Sequence, residues 1–284
     1  MVHAADTDPG ALVAGVLELA REAGNRILDI YRAGFDVDLK ADGSPLTAAD
    51  LASHHCLVDG LRALGAGMPV LSEEDGLPPF AVRQRWSRYW LIDPLDGTKE
   101  FVQRNGDFTV NVALIDSGVP VLGVVHAPVR GTSWFAAAGS GAWKQQGQED
   151  PVPIATAPMS GRPDEAAMRV VASRNHRGAA VDALLDRLPH ATSISVGSSL
   201  KLCMVAEGAA DLYPRLGPTS EWDTAAGQCV AEQAGGAVTT LDMAALRYNT
   251  KDSVLNPHFV VVGDMSFDWA QYLPDPAPGS SVEP

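Results

Sequence analysis

Four acidic groups carry the chemical signal of this sequence: Asp50, the run Glu73-Glu74-Asp75, the pair Asp93 and Asp96, and Asp223. Glu73 and Asp93 each close a short apolar run, "PVLS" and "RYWLI", and so stand where a strand ends. Pro94 removes a backbone donor between the two aspartates and bends the chain. Asp93, Asp96 and the Leu95 carbonyl can then face one point, and hard oxygen ligands at that spacing suit Mg²⁺ or Mn²⁺. Aspartates are ordinary turn residues, so one Asp-Pro-x-Asp alone describes a plain bend better than a metal site. Gly97 and Thr98 add to it, because "DGTKEF" can open a short helix whose bare N–H groups bind phosphate oxygens. A phosphate beside carboxylates requires cations between the like charges, so the local chemistry is metal-assisted phosphate chemistry.

These groups need elements to position them. Leu12, Val16, Leu17, Ala20, Ala23, Ile27 and Tyr31 recur at three- and four-residue steps and predict an amphipathic first helix. A strand and charged turn are expected over residues 34–44. Thr47 can cap a second helix, with Asp50 in its first turn and Gly65 and Gly67 at its end. Pro78 and Pro79 imply a loop. Closely spaced apolar runs follow, including Phe108 to Leu114, "VPVLGVVHAPV" and a hairpin in "GTSWFAAAGSGAW", and they predict an antiparallel sheet. The character changes near residue 150, where "PVPIATAPMSGRP" reads as a connection between lobes. Beyond it, "RVVASR", "ATSISVG", "ADLYPR" and "HFVVVGD" read as strands. Helices are expected over 179–188, 199–207 and 223–234, which makes an α/β second lobe. The expected division is an α+β lobe over 1–150, an α/β substrate-selecting lobe over 151–273 and a disordered tail over 274–284.

Composition limits the functions open to such a chain. With 284 residues and 46% hydrophobic content it is not wholly disordered, and its length suits one large or two modest domains. A net charge of -14 argues against binding a nucleic-acid polymer, which needs a basic footprint. The charge does not exclude a small anion received by local cations. Cys56, Cys203 and Cys229 form neither a disulfide framework nor a zinc pattern, and reduced, buried thiols are expected. The start lacks a signal-peptide pattern, and no run approaches the ~20 apolar residues of a membrane span, so a soluble cytoplasmic protein without membrane partners is expected. His54-His55 sits on a helix without a ligand arrangement, Gly139 and Gly141 read as hairpin turns, and Trp222 reads as packing.

"EED" at 73–75, "WLIDPLDGTKEF" at 90–101 and "EWDTAAG" at 221–227 resemble the inositol monophosphatase superfamily. "KADGSPLTAAD" at 40–50 and "GSSLKLCMVAEGAADLYPRLGPTSEWDTAAG" at 197–227 resemble its CysQ-type 3′(2′),5′-bisphosphate nucleotidases. The likeness runs from the first helix to about residue 262. It implies a layered α/β/α/β/α sandwich with the site between two lobes, Mg²⁺ dependence, inhibition by Li⁺ and a homodimer. Glu73, Asp93 and the Leu95 carbonyl would hold one Mg²⁺, Asp93, Asp96 and Asp223 a second, and Glu73 would contribute to a looser third. Asp50 and Thr98 would orient and activate the attacking water, while the Gly97 and Thr98 N–H groups meet the scissile phosphate. His176, Ser198, Lys201 and Arg215 would lie near the adenosine and the second phosphate. Lys201 could instead decorate its helix, Arg215 pair locally with Glu207 or Asp211, and Glu221 either meet a ribose hydroxyl or brace its loop. The expected reaction converts adenosine 3′,5′-bisphosphate to AMP and phosphate, and extends to 3′-phosphoadenosine 5′-phosphosulfate, within sulfate assimilation. Hydrolysis of inositol-1-phosphate or fructose-1,6-bisphosphate is the nearest alternative, and a catalytically idle metal-binding interaction protein is the non-enzymatic one.

Overall fold

The computed structural model describes residues 7–39, 45–64, 67–159, 168–173, 179–188 and 190–274. The chain begins with α1 (Pro9–Ala33), β1 (Asp38–Leu39), β2 (Pro45–Leu46), α2 (Ala48–Leu64), β3 (Val70–Ser72) and α3 (Phe80–Arg83). It continues with β4 (Arg88–Asp96), α4 (Thr98–Val102), β5 (Thr109–Asp116), β6 (Val119–Ala127), β7 (Thr132–Ala137), β8 (Ala142–Gln146) and β9 (Val152–Ile154). Then come β10 (Arg169–Ser173), α5 (Ala179–Asp186), β11 (Thr192–Val196), α6 (Leu200–Ala206) and β12 (Leu212–Arg215). A 3₁₀ turn (Glu221–Asp223), α7 (Ala225–Gln233), β13 (Ala237–Thr240) and β14 (Phe259–Val262) complete it.

Strands β3 to β9 form a seven-stranded sheet in chain order, parallel between β3 and β4 and antiparallel elsewhere. The second sheet has five strands in the order β11-β10-β12-β14-β13. There β10 runs parallel to both neighbours, and β14 lies antiparallel between β12 and β13.

Alternating side chains on these strands determine the layers. On β4, Trp90 and Ile92 join Val16, Ala20 and Ile27 of α1 and Leu57 and Leu61 of α2 in one core. Tyr89 and Leu91 face the opposite way, into a core shared with α6, α7 and the second sheet. Val171 and Val261 reach that same central core, whereas Val170, Val260 and Val262 pack on Leu184, Leu188 and Trp269. The result is α1 and α2, a sheet, α6 and α7, a second sheet, then α5 with the C-terminal segment. This is the expected α/β/α/β/α sandwich. Glycine lets the middle layer close tightly, since a Cβ at Gly123 of β6 would sit 2.3 Å from the Ala226 carbonyl oxygen of α7.

Some expectations change. The segment expected to connect lobes includes β9, paired to β8, so the first sheet extends past residue 150. Pro153 is tolerated there because β9 is an edge strand. The helix expected to open at Asp223 starts at Ala225, and Asp223 closes the preceding 3₁₀ turn. The Pro78-Pro79 loop runs into the short helix α3, with Pro79 at its N-cap. Strand β13, short and followed by a polar turn, carries no sequence signal strong enough to have been expected. His176, Lys40, Asp42 and all of the expected tail except Pro274 lie outside the described residues. Among the described residues no helix is long and apolar enough to cross a membrane.

Candidate active site

The site begins with a fault in β4. Its pairing with β5 is regular from Arg88 to Asp93 opposite Asn111, then slips so that Asp96 stands opposite Thr109. Pro94, having no N–H, sits inside this bulge. The Leu95 N–H turns back to donate to Asp93 Oδ1 at 3.1 Å. The Pro94 carbonyl is taken from the other side by Ser53 Oγ of α2 at 2.7 Å. Parallel pairing of β3 with β4 sets Ser72 opposite Ile92 and brings Glu73 beside Asp93. Asp223 is held by its own turn, where the Ser220 N–H donates to its Oδ2 at 3.0 Å.

Glu73, Asp93 and Asp223 thereby present carboxylate oxygens within 4.8 Å of one another. Burial pushes the Asp93 carboxyl well above its ordinary range, and Glu73, Asp96 and Asp223 push it further. Burial and Asp96 do the same to Asp223. Carboxylates crowded in this way repel one another unless cations intervene, and an all-oxygen donor set fits Mg²⁺ or Mn²⁺. Asp96 is raised to about 6 by burial, opposed by Lys201 and by hydrogen bonds from Ser199 and Asn111. Its Oδ2 accepts from the Ser199 N–H at 2.6 Å and from Asn111 Nδ2 at 3.3 Å.

A cavity of about 400 Å³ opens on this cluster. Glu73, Asp93, Leu95, Asp96 and Asp223 line it, as do Gly97, Thr98, Ser198, Lys201 and Arg215. Gly97 takes a left-handed conformation, φ 92°, as it turns β4 into α4. Thr98 Oγ1 lies 3.5 Å from the Leu95 carbonyl oxygen.

Lys201 is only 5% exposed and its Nζ donates to the Ser198 carbonyl, so it does not decorate a surface. Burial lowers it to about 8 against the pull of Asp96. Arg215 on β12 donates to the Pro218 carbonyl. Its expected local partners are engaged elsewhere: Glu207 with Lys144 and Trp134, each at 2.8 Å, and Asp211 with Arg169.

Two expected residues stand apart from this cavity wall. Asp50 is buried at the start of α2, where its Oδ2 accepts from Thr47 N–H and Thr47 Oγ1, both at 2.7 Å. It does not line the cavity, although Ser53 one turn on touches the β4 bulge. Glu221 accepts from the Asn249 N–H with both oxygens at 3.0 Å and is raised to about 7 by burial. It lines a separate cavity of about 240 Å³, so its contacts are those of a loop brace. His54 Nδ1 lies 2.9 Å from Ser72 Oγ, and burial lowers its pKa. Ser199, Asn111 and Thr109 surround Asp96 without a motif in the sequence that marks them as its neighbours. The one available signal was a lone Asn in the apolar alternation "TVNVAL".

Carboxylates gathered where cations must separate them from an anion, in a five-layer α/β/α/β/α sandwich, define a metal-dependent phosphatase. The chain belongs to the inositol monophosphatase family, whose model matches residues 10–263. Within it the chain is similar to the 3′(2′),5′-bisphosphate nucleotidase CysQ of Escherichia coli K12, 51% identical over 249 residues that make up 87% of this chain and 97% of that protein. Its likeness to the Haemophilus influenzae CysQ is 39% over 259 residues, covering 91% and 95% of the two chains. The crystal structure of CysQ from Bacteroides thetaiotaomicron aligns with a TM-score of 0.77 at 40% identity, covering 89% of this chain and 97% of that one. SuhB of Bartonella henselae shares the fold, with a TM-score of 0.74 at 22% identity and coverage of 90% and 94%.

Proposed function

We propose that this enzyme hydrolyses adenosine 3′,5′-bisphosphate to AMP and phosphate, acts also on 3′-phosphoadenosine 5′-phosphosulfate, and works with two or three Mg²⁺ ions. The observation that carries this is the pairing, in one cavity, of the carboxylate cluster with two nearly buried cations, Lys201 and Arg215. A substrate with two anionic groups satisfies both, because the second phosphate meets charged donors that a monophosphate would leave unused. Similarity to CysQ nucleotidases supports a nucleotide over fructose-1,6-bisphosphate.

In this reading Glu73, Asp93, the Leu95 carbonyl, Asp96 and Asp223 hold the ions. Bound there, Mg²⁺ supplies Lewis acidity at the phosphoryl oxygens and lowers the pKa of water. By family likeness Asp50 and Thr98 orient and activate the attacking water; Thr98 lines the cavity, while Asp50 stands behind its wall, held by Thr47. The Gly97 and Thr98 N–H groups donate to the scissile phosphate as its charge grows. Ser198, Lys201 and Arg215 hold the second phosphate, with His176 toward the adenosine. Glu221 braces the Asn249 loop. Family likeness extends the proposal to a cytoplasmic homodimer serving sulfate assimilation.

The test is phosphate release with Mg²⁺ from adenosine 3′,5′-bisphosphate, its phosphosulfate analogue, inositol-1-phosphate and fructose-1,6-bisphosphate. The nucleotides should be preferred. A preference of about a hundredfold or more in kcat/KM for either non-nucleotide overturns the substrate. No release from any of them by metal-loaded protein would favour a non-enzymatic metal-binding role.

A further inference from the structure

We propose that Thr109, Ser199 and Asn111 form a directed hydrogen-bond chain that decides which oxygen of Asp96 is offered to the metal site, with Asn111 as its positioning residue. This rests on the reading of Asp96 as a metal ligand.

The direction of the chain follows from counting protons. The Asn111 Oδ1 is a carbonyl oxygen and only accepts, so the Ser199 hydroxyl, 2.7 Å away, donates to it. That hydroxyl has one proton. Its 2.8 Å contact with Thr109 Oγ1 is therefore donated by Thr109. Thr109 spends its proton there and not on Asp96 Oδ2, which is 3.5 Å away. With its carbonyl fixed by Ser199, the Asn111 amide turns its NH₂ toward Asp96 Oδ2 at 3.3 Å. The Ser199 N–H reaches the same oxygen at 2.6 Å. Two donors thus occupy Oδ2, and Oδ1 is left for the cavity that Asp96 lines.

The links come from two adjacent layers of the fold. Thr109 and Asn111 lie two apart on β5 and share a face of the first sheet, while Ser199 stands at the N-cap position of α6 in the layer between the sheets. All three are at most 2% exposed. A buried polar chain in an apolar sheet is costly if left incomplete, and each of these side chains has a hydrogen-bond partner. Groups that orient a metal ligand in this way typically matter about 10- to 100-fold in metal affinity.

The experiment measures Mg²⁺ binding to the substrate-free protein by calorimetry and by the Mg²⁺-dependent rise in Tm. The variants are Asn111→Leu, Ser199→Ala, Thr109→Val and Thr109→Ser, with circular dichroism and Tm in EDTA as controls for folding. Asn111→Leu should weaken Mg²⁺ by up to about a hundredfold and Ser199→Ala by about tenfold. Thr109→Val should have the smallest effect, and Thr109→Ser should bind as wild type. If Asn111→Leu does not fold, Ser199→Ala, which keeps its N–H on Asp96, carries the test. Folded Asn111→Leu or Ser199→Ala that binds Mg²⁺ within about twofold of wild type overturns the proposal and leaves the chain a cross-link between the first sheet and α6. Wild-type protein that binds no Mg²⁺ overturns the metal reading itself, and this proposal with it.

Discussion

Asp93, at the last regular pair of β4, and Asp223, at the end of a distant 3₁₀ turn, present carboxylate oxygens within 4.8 Å of one another, and Glu73 completes the triangle. Their mutual repulsion is a cost the fold accepts, because the cluster is useful only when a cation lies within it. That opposition between stability and activity gives the first prediction.

Asp223→Asn should make the protein more stable in EDTA by about 1 kcal/mol, since one of the repelling charges is gone. With Mg²⁺ it should hydrolyse adenosine 3′,5′-bisphosphate roughly a thousandfold more slowly, because several kcal/mol of charge stabilisation are lost. Urea midpoints in EDTA and kcat in Mg²⁺ measure the two effects. A variant that is less stable in EDTA and still active would place Asp223 in a structural role.

Lys201→Met keeps the buried stem and removes the charge. KM for adenosine 3′,5′-bisphosphate should rise about 10- to 100-fold, the value of one charge-assisted bond to phosphate. Hydrolysis of inositol-1-phosphate, which has no second phosphate, should change little. Equal losses on both substrates would show that Lys201 supports the site as a whole.

His126 gives the fold a dependence on pH that is independent of the active site. Its Nδ1 lies 2.9 Å from Ser133 Oγ, and burial lowers its pKa from 6.5 to about 4. The unfolded chain therefore takes up a proton between these values that the folded chain refuses. This contribution is intact above pH 6.5 and is lost as pH falls toward 4. It should amount to about 2 kcal/mol by about pH 5. Urea midpoints across this range should fall less in His126→Asn than in wild type, and identical slopes would exclude His126 as the source.

Gly123→Ala tests the tight middle layer. The new methyl would lie 2.3 Å from the Ala226 carbonyl and 2.8 Å from the Cys229 Cβ, neither on a flexible side chain. The loss should reach about 3 kcal/mol as α7 is forced off β6. A urea midpoint unchanged from wild type would mean that the two layers part freely.

Much of the site was readable because its parts are local. "WLIDPLDGTKEF" encodes strand, bulge and helix start in succession, and each depends on neighbours within a few residues: Pro94 for the break, Gly97 for the turn. Apolar runs in β4 and β6 and alternation in β5 likewise predicted strands, and the structure buries nearly every residue of them because helices cover both faces of the sheet. Boundaries were less readable where sequence signals conflict. Pro153 reads as a linker but occupies an edge strand, and Asp223 reads as a helix opening but closes a 3₁₀ turn.

By itself the sequence determined which ligands are available and the order in which strand, bend and helix present them, since residue type and spacing are properties of the chain. The tertiary structure alone decided which of those groups meet. It joined Glu73, Asp93 and Asp223, engaged Glu207 and Asp211 with partners other than Arg215, turned Glu221 toward Asn249, and closed Ser199 onto Asp96 from the start of α6 in the neighbouring layer. Partner choice depends on what packing carries into hydrogen-bonding reach, and spacing along one chain does not encode that distance.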